Sequence, residues 1–394
     1  MAVKRSCKHV CIRDVDTIKD WVSWCVARHY DKRRDFVRLM AEHGYVPLED
    51  HIADSNSWWK AIESISRLII SMIENRKLEL EPVRISEKVD KNSGKMRLIG
   101  CESALQQCID YVAVYSCMEI WQRRIDPLQA SSLSGRGQIF ILHKLQKAMK
   151  KDHARQEYGR KHGIRYSLKY RYLTKTDVKS CFKSGDKDKF LAMFSRDCAN
   201  EDIIWLWGAL FKTHRVWYYD LAGNLLFYTG FLIGSLISQF AMIYMLSFAS
   251  TLLRGMVNAV YCFMDDFVIL DSVRKRMKKA VLFMRTYLHD TFGLVIKATW
   301  NILKLDDATP VDFVGYRVYT DGKIEMRRRN AGKLFRYIRM PFLTFKQCKT
   351  IASMKGLVDH SSSYRLCAKY NFHEFWRRVV CIIRIRNLQL CQAA

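Results

Sequence analysis

Acidic residues are in short supply. The chain carries 39 Asp and Glu against 66 Lys and Arg, a formal charge of +27 over 394 residues. A surplus of that size calls for a partner of opposite sign, nucleic acid or an anionic membrane. Proline (5) and glycine (18) are too few for a collagen-like or low-complexity chain. No internal repeat recurs at solenoid spacing. The thirteen cysteines form no Cys-x-x-Cys pair, which excludes a zinc ribbon or a disulfide framework and predicts reduced thiols in the cytoplasm. Cys7, His9 and Cys11 lack the second ligand pair that a four-coordinate metal needs. Lys4, Arg5 and Lys8 are followed by no apolar stretch, so a signal peptide is not expected there. Long uncharged runs are missing too, with one exception. From Leu221 the next charge is Arg254, far enough to span a bilayer. That run is broken by Asn224, Gly230, Gly234, Ser235, Ser238 and Gln239, so it predicts a strand-turn followed by a buried helix, and no membrane partner.

What is present is enough apolar material for a core, at 49% of residues. Trp21, Trp24, Val26 and Tyr30, then Trp58, Trp59, Ile62, Ile65, Leu68 and Ile69, recur at helical spacing and predict core-facing helices in residues 1–80. Residues 82–100 alternate around a Lys91–Gly94 turn and predict a hairpin. Residues 101–125 predict one helix with Leu105, Ile109, Val112 and Tyr115 inward. Short strands are expected at 172–178, 259–263 and 266–271, and a basic amphipathic helix at 273–290. A hairpin is expected at 311–326, turning at Asp321-Gly322, and basic helices over 330–385. Residues 143–175 hold eleven Lys and Arg, the acids Asp152 and Glu157, and four interleaved tyrosines, Tyr158, Tyr166, Tyr170 and Tyr172. Cations neutralise phosphates and aromatic faces stack on bases, so this segment predicts nucleic-acid contact.

The chemistry concentrates in Tyr261-Cys262-Phe263-Met264-Asp265-Asp266-Phe267-Val268-Ile269-Leu270. Two carboxylates between two apolar strands predict a tight turn projecting from a buried hairpin. A further acid, Asp177, ends the strand Leu173–Val178. Phosphoryl transfer to a 3′-hydroxyl uses two divalent cations about 4 Å apart, held by oxygen ligands from different strands. Mg2+ suits such a site because it takes hard carboxylates and leaves room for substrate phosphates. One Asp on a strand end and two on an adjacent hairpin would build it.

These segments resemble a family. The Asp177 strand looks like motif A of reverse transcriptases. Phe263-Met264-Asp265-Asp266 resembles their Tyr-x-Asp-Asp box, motif C. Between them, Ile233-Gly234-Ser235-Leu236-Ile237-Ser238-Gln239 is similar to motif B in the Gly-x-x-x-Ser-Gln form of bacterial diversity-generating and defence-associated enzymes. Gly293–Lys297 resembles motif D and Asp312–Tyr316 motif E. Lys95–Ile99 and Ser134–Gln138 resemble fingers motifs. The likeness covers about residues 80–370.

The resemblance implies an α+β right-hand polymerase, with a helical N-terminal region (1–80), fingers with a basic insert (81–170), an antiparallel-sheet palm (171–325) and a helical thumb (326–394). It implies catalysis by Asp177, Asp265 and Asp266. Two Mg2+, or Mn2+ in their place, would be held by these acids with Val178. Lys95, Arg97, Phe182, Gln239 and Lys297 would contact the nucleotide, with Lys304 an alternative to Lys297. Arg136, Gly234, Ser235, Met264, Gly315 and Tyr316 would contact template or primer. Phe182, five residues after Asp177, stands where the family carries the aromatic gate that rejects a 2′-hydroxyl. The implied partners are an RNA template, a DNA primer or product and dNTPs, with an accessory protein or a second copy as further candidates. Basic residues Arg327, Arg328, Arg329, Lys333, Arg336 and Arg339 would hold duplex or structured RNA.

The chain departs from the family in three places. Phe263 replaces the Tyr of the box, Lys183-Ser184-Gly185 follows motif A, and no Asn follows motif B, where Met242 and Ile243 stand. No endonuclease, RNase H or maturase-like segment is expected after residue 385. Together these features favour antiphage defence over copying of a retroelement template repeat. Two other readings are an RNA-dependent RNA polymerase and a non-catalytic nucleic-acid-binding scaffold.

Overall fold

A computed structural model describes residues 5–46, 55–90 and 94–392. In chain order the elements are α1 (Val15–His29), α2 (Arg34–Glu42), α3 (Ser55–Glu74), β1 (Arg84–Val89), β2 (Met96–Cys101), α4 (Ala104–Tyr115), α5 (Met118–Arg124), β3 (Gln129–Ala130), α6 (Gln138–Lys161) and β4 (Tyr172–Asp177). There follow α7 (Cys181–Ser184), α8 (Lys187–Asp197), α9 (Glu201–Thr213), β5 (Val216–Tyr219), β6 (Leu225–Tyr228), α10 (Leu236–Arg254), β7 (Ala259–Phe263), β8 (Asp266–Asp271) and α11 (Arg274–Phe292). The last are β9 (Ile302–Lys304), β10 (Val311–Phe313), β11 (Tyr316–Val318), β12 (Ile324–Met326), α12 (Arg328–Ile338), α13 (Phe345–Asp359), α14 (Tyr364–Lys369) and α15 (Phe372–Gln392). The fold is α+β, mostly helical, and its sheets are antiparallel apart from one short pair.

The chain packs as two compact units that interleave along the sequence. One comprises Met1–Pro127, Asp177–Leu252 and Leu282–Lys297, the other Leu128–Thr176, Leu253–Val281 and Ala298–Ala394. In the first, rings build much of the core. Trp121, Phe190, Phe194, Trp207 and Tyr244 are fully buried with centroids 5.2–6.4 Å apart. The indole N–H groups of Trp121 and Trp207 donate to the Val114 and Ala113 carbonyls, which removes the cost of burying them. Asn200 caps α9 and Asp186 caps α8, each accepting two backbone N–H groups of its first turn. The uncharged run resolves into the β5–β6 hairpin and α10. That helix is long and apolar enough to cross a membrane, and 72% of its apolar window is buried within the protein.

The second unit carries a five-stranded sheet in the order β3-β7-β8-β4-β9. Its core joins Tyr261, Val268 and Leu270 of the central hairpin to Ile141, Leu142 and Leu145 of α6 and to Val311, Phe313, Tyr316 and Val318. A separate cluster around Leu334, Ile351, Met354 and Val379 holds the C-terminal helices together.

Several expectations need correction. Trp24 and Trp59 are about half exposed, because a helix turn carries more aromatic surface than its one inward stripe can bury. The single helix over 101–125 is two, α4 and α5, separated at Ser116-Cys117, where the Ser116 hydroxyl turns back to the Ala113 carbonyl. The hairpin at 311–326 is a three-stranded meander, with a second turn at Val314-Gly315. Among the four tyrosines of the basic segment, Tyr170 is buried in the core, and Tyr158 and Tyr166 are exposed. Asp152 is buried, accepting the backbone N–H groups of Lys169 and Tyr170 and an Arg155 N–H. Residues 91–93 of the expected Lys91–Gly94 turn lie outside the described residues. The β1–β2 strands they connect pair in the expected antiparallel register.

Candidate active site

β7 and β8 pair so that Phe263 faces Asp266, leaving Met264 and Asp265 as a two-residue hairpin loop. Met264 has φ +53, a left-handed value at a loop position ordinarily given to glycine. The conformation is held from β3. There the Ala130 carbonyl accepts the Met264 N–H at 3.2 Å, and Gln129 Nε2 donates to the Met264 carbonyl at 3.1 Å. Gln129 is fully buried and pairs in parallel with Cys262. This residue was missed by sequence reasoning. A lone Gln before Ala carries no motif, and only the parallel strand reveals its task.

β4 lies beside β8 in the sheet and ends on Asp177. At the opposite end of the pair, the Arg171 N–H donates to the Asp271 carbonyl at 3.0 Å. The start of β4 therefore meets the end of β8. The strands run antiparallel, with Asp177 the last residue of β4 and Asp266 the first of β8. That far end is fixed by a second buried acid, Asp271, with no exposure. It accepts the backbone N–H groups of Asn258 and Val273 and a fork from Arg276 at 2.8–3.1 Å.

Beyond Asp177 the backbone continues as a strand against the segment resembling motif D. The Lys297 N–H donates to the Asp177 carbonyl, Val178 bridges Ile296, and the Lys179 N–H donates to the Val295 carbonyl. The Lys297 ammonium donates to the Asp177 carboxylate, both about one-third exposed. Lys297, expected near the nucleotide, thus pairs directly with Asp177. Val178 is buried. Ser180, at φ +49, ends the strand and starts α7, which carries the half-buried Phe182. The Phe182 carbonyl accepts the Phe231 N–H at 2.8 Å, so the ring sits on a fixed turn.

The segment resembling motif B is built for packing. Gly234 has φ +109, and a Cβ there would stand 3.0 Å from the Gly100 carbonyl of β2. The close approach that Gly234 allows is to β2. Ser235 is fully buried and its hydroxyl donates to Asp110 at 3.1 Å, which removes it from a template surface. Burial pushes the Asp110 carboxyl well up, and Glu102 adds to the effect. Gln239 lies half-buried on α10. In the segment resembling motif E, Tyr316 is core: its ring has no exposure, and its hydroxyl donates to the Gly356 carbonyl at 3.0 Å. Gly315, at φ +87, makes the turn before it. Lys95 and Arg97 stand exposed on the β2 side of the hairpin, where Arg97 pairs with Asp90 at 2.9 Å. Arg136 is half-buried in the loop before α6. Arg328, Arg329, Lys333 and Arg336 on α12 and Arg339 just after it are exposed, and Arg327 pairs with Asp312.

Among the described residues no three His, Cys, Asp or Glu form a group able to hold a metal ion. The donors at the strand ends are hard carboxylate oxygens, the chemistry Mg2+ takes.

No known family profile matches the chain, and no curated protein matches it. Among solved structures, it is similar to telomerase from Candida albicans in complex with a fragment of telomeric RNA. That match has 10% identity and a TM-score of 0.44, over 80% of this chain and 61% of that one. It is also similar to apo telomerase from Candida tropicalis truncated from its C-terminal domain, with 12% identity and a TM-score of 0.42, over 79% of this chain and 78% of that one. The chain thus spans about three-fifths of the first. Likeness at this level says nothing about chemistry.

Proposed function

We propose that the chain is an RNA-directed DNA polymerase with fingers, palm and thumb, adding dNTPs to a primer 3′-end. One observation carries the reading. Asp177 closes β4, Asp266 opens β8, the neighbouring strand of the same sheet, and Asp265 lies in the β7–β8 loop. Binding of two Mg2+ by Asp177, Asp265 and Asp266 is part of this proposal, although the described residues form no three-acid cluster as they stand. Such ions supply charge neutralisation at the phosphates and lower the pKa of the attacking hydroxyl. The protein's own residues do the positioning. Lys297 pairs with the Asp177 carboxylate and orients it. Gln129 holds the strained turn of Met264 and Asp265. Phe182, fixed through its carbonyl, offers the ring against which a 2′-hydroxyl would clash.

Purified chain with an RNA template, DNA primer, dNTPs and Mg2+ tests the reading. Incorporation is expected, and it should fall to background in Asp265→Asn plus Asp266→Asn. Equal incorporation by that variant refutes the assignment and leaves the nucleic-acid-binding scaffold. Phe182→Ala should admit NTPs that the parent excludes. A parent that uses NTPs and dNTPs alike would refute a DNA product. The narrower role we propose is antiphage defence with a non-coding RNA template, and a neighbouring variable-repeat target gene would overturn it.

A further inference from the structure

The basic first turn of α11 serves no purpose in the reading above. Arg274, Lys275 and Arg276 all fall in that turn, which has no acid. The dipole of a helix favours anions at its N-terminus, so three cations there oppose it. Arg276 is accounted for, because its guanidinium is bound to Asp271. Arg274 and Lys275 are not, nor is Lys278, which lies on the same helix face at i+4 and i+3. These three side chains line one wall of a cavity of about 490 Å3, within the size class of ligand sites. The facing wall is Trp300, Asn301 and Ile302, at the start of the edge strand β9. No carboxylate lines it. The helix is held firmly beneath these cations, since Met277, Ala280, Val281 and Met284 are fully buried and the Thr174 hydroxyl touches the Met277 sulfur.

Cations alone would suit any anion, and a tryptophan alone any apolar group. Their combination is narrower: three positive groups for phosphate, a large ring for a flat base, and an asparagine amide able to donate and accept at a base edge. Cations at that end run against the helix dipole, and here three cations of the helix line one cavity. We propose that this cavity binds a nucleotide unit, a phosphate carried beside a nucleobase stacked on Trp300. Two sources share that chemistry, a free nucleotide and one unit of a single strand. None of the residues assigned to catalysis lines the cavity, and the inference does not depend on polymerase activity.

The test uses the full chain in binding assays alone. A fluorescein-labelled single-stranded RNA of about ten nucleotides is titrated by anisotropy at several salt concentrations, and AMP separately by calorimetry. Replacing Arg274, Lys275 and Lys278 together by Ala should weaken RNA binding at least tenfold. It should also reduce the slope of log K against log salt by about 2, from about 0.7 per phosphate on three contacts. Trp300→Ala should weaken binding about tenfold with the slope unchanged, and Trp300→Phe should restore most of it. Lys279→Ala on the same helix serves as the charge control, and thermal melts confirm folding. Loss of both RNA and AMP binding assigns the site to a free nucleotide, and loss of RNA binding alone to a strand. Variants that bind both ligands like the parent, or a Lys279→Ala loss equal to that of the triple variant, overturn the proposal. Because no readout here requires incorporation, a chain inactive in primer extension could still pass, and an active one could fail.

Discussion

Lys187 is buried at the start of α8, 3% exposed, and its ammonium has no hydrogen-bond partner. Desolvation, with Arg215 adding repulsion, lowers its pKa from the usual 10.5 to about 7. In the unfolded chain the group holds its proton up to about pH 10.4. Between these values the unfolded state binds more protons, so stability rises with pH through that window, and below pH 7 the full penalty stands. Lys187→Met should therefore stabilise the protein near neutral pH by about 3 kcal/mol, with the gain shrinking towards pH 10. Denaturant titrations at both ends of the window measure it, and a variant destabilised at every pH would refute the account. His214 sits nearby in the same plight, its pKa lowered by complete burial despite a 2.9 Å contact to Glu102. Nothing in the sequence distinguishes Lys187 from Lys183 or Lys189, because burial of a cation is decided by what packs over it. The acids at 177, 265 and 266 were legible for the opposite reason. Each interrupts or ends an apolar β run, and a carboxylate in that setting stands out against its neighbours.

At the level of elements, turns carry the strain and the connections. Gly230 lies against the short helix bearing Phe182: a Cβ there would meet the Lys183 carbonyl oxygen at 2.5 Å and its Cα at 2.8 Å. Both are backbone atoms and cannot swing away. Gly230→Ala should cost about 2–4 kcal/mol and shift the turn that presents Phe182. A melt shows the first effect, and altered dNTP-over-NTP preference the second. Unchanged stability would show that the loop yields freely. Gln129→Ala should lower primer-extension kcat about tenfold with little change in primer affinity, because it frees the Met264 carbonyl and loosens the turn without touching substrate. A fall in affinity with kcat unchanged would contradict a positioning role. Strand positions were readable from alternation and apolar runs, and β4, β7 and β8 fall within a residue of expectation. Helix breaks and the second turn of the meander were not. They depend on a Ser116 hydroxyl turned onto its own backbone and on positive φ at Val314 and Gly315, which composition does not display.

For the whole molecule, the +27 charge predicts RNA affinity that falls steeply with salt. Filter binding between about 50 and 200 mM salt should show a loss of at least a hundredfold if several phosphates are contacted. A flat profile would contradict a polyanion partner. The exposed cations of α12 and the first turn of α11 are where that dependence should reside. The sequence by itself determined the charge, the α+β class and the strands β4, β7 and β8. These follow from composition and from periodicities that act over a few residues. Tertiary structure alone decided which of the conspicuous groups are available. It placed Tyr316 and Ser235 in the core, set Lys297 on Asp177, and recruited Gln129 to hold the turn. Availability depends on burial and on partners many tens of residues away, and no local pattern encodes either.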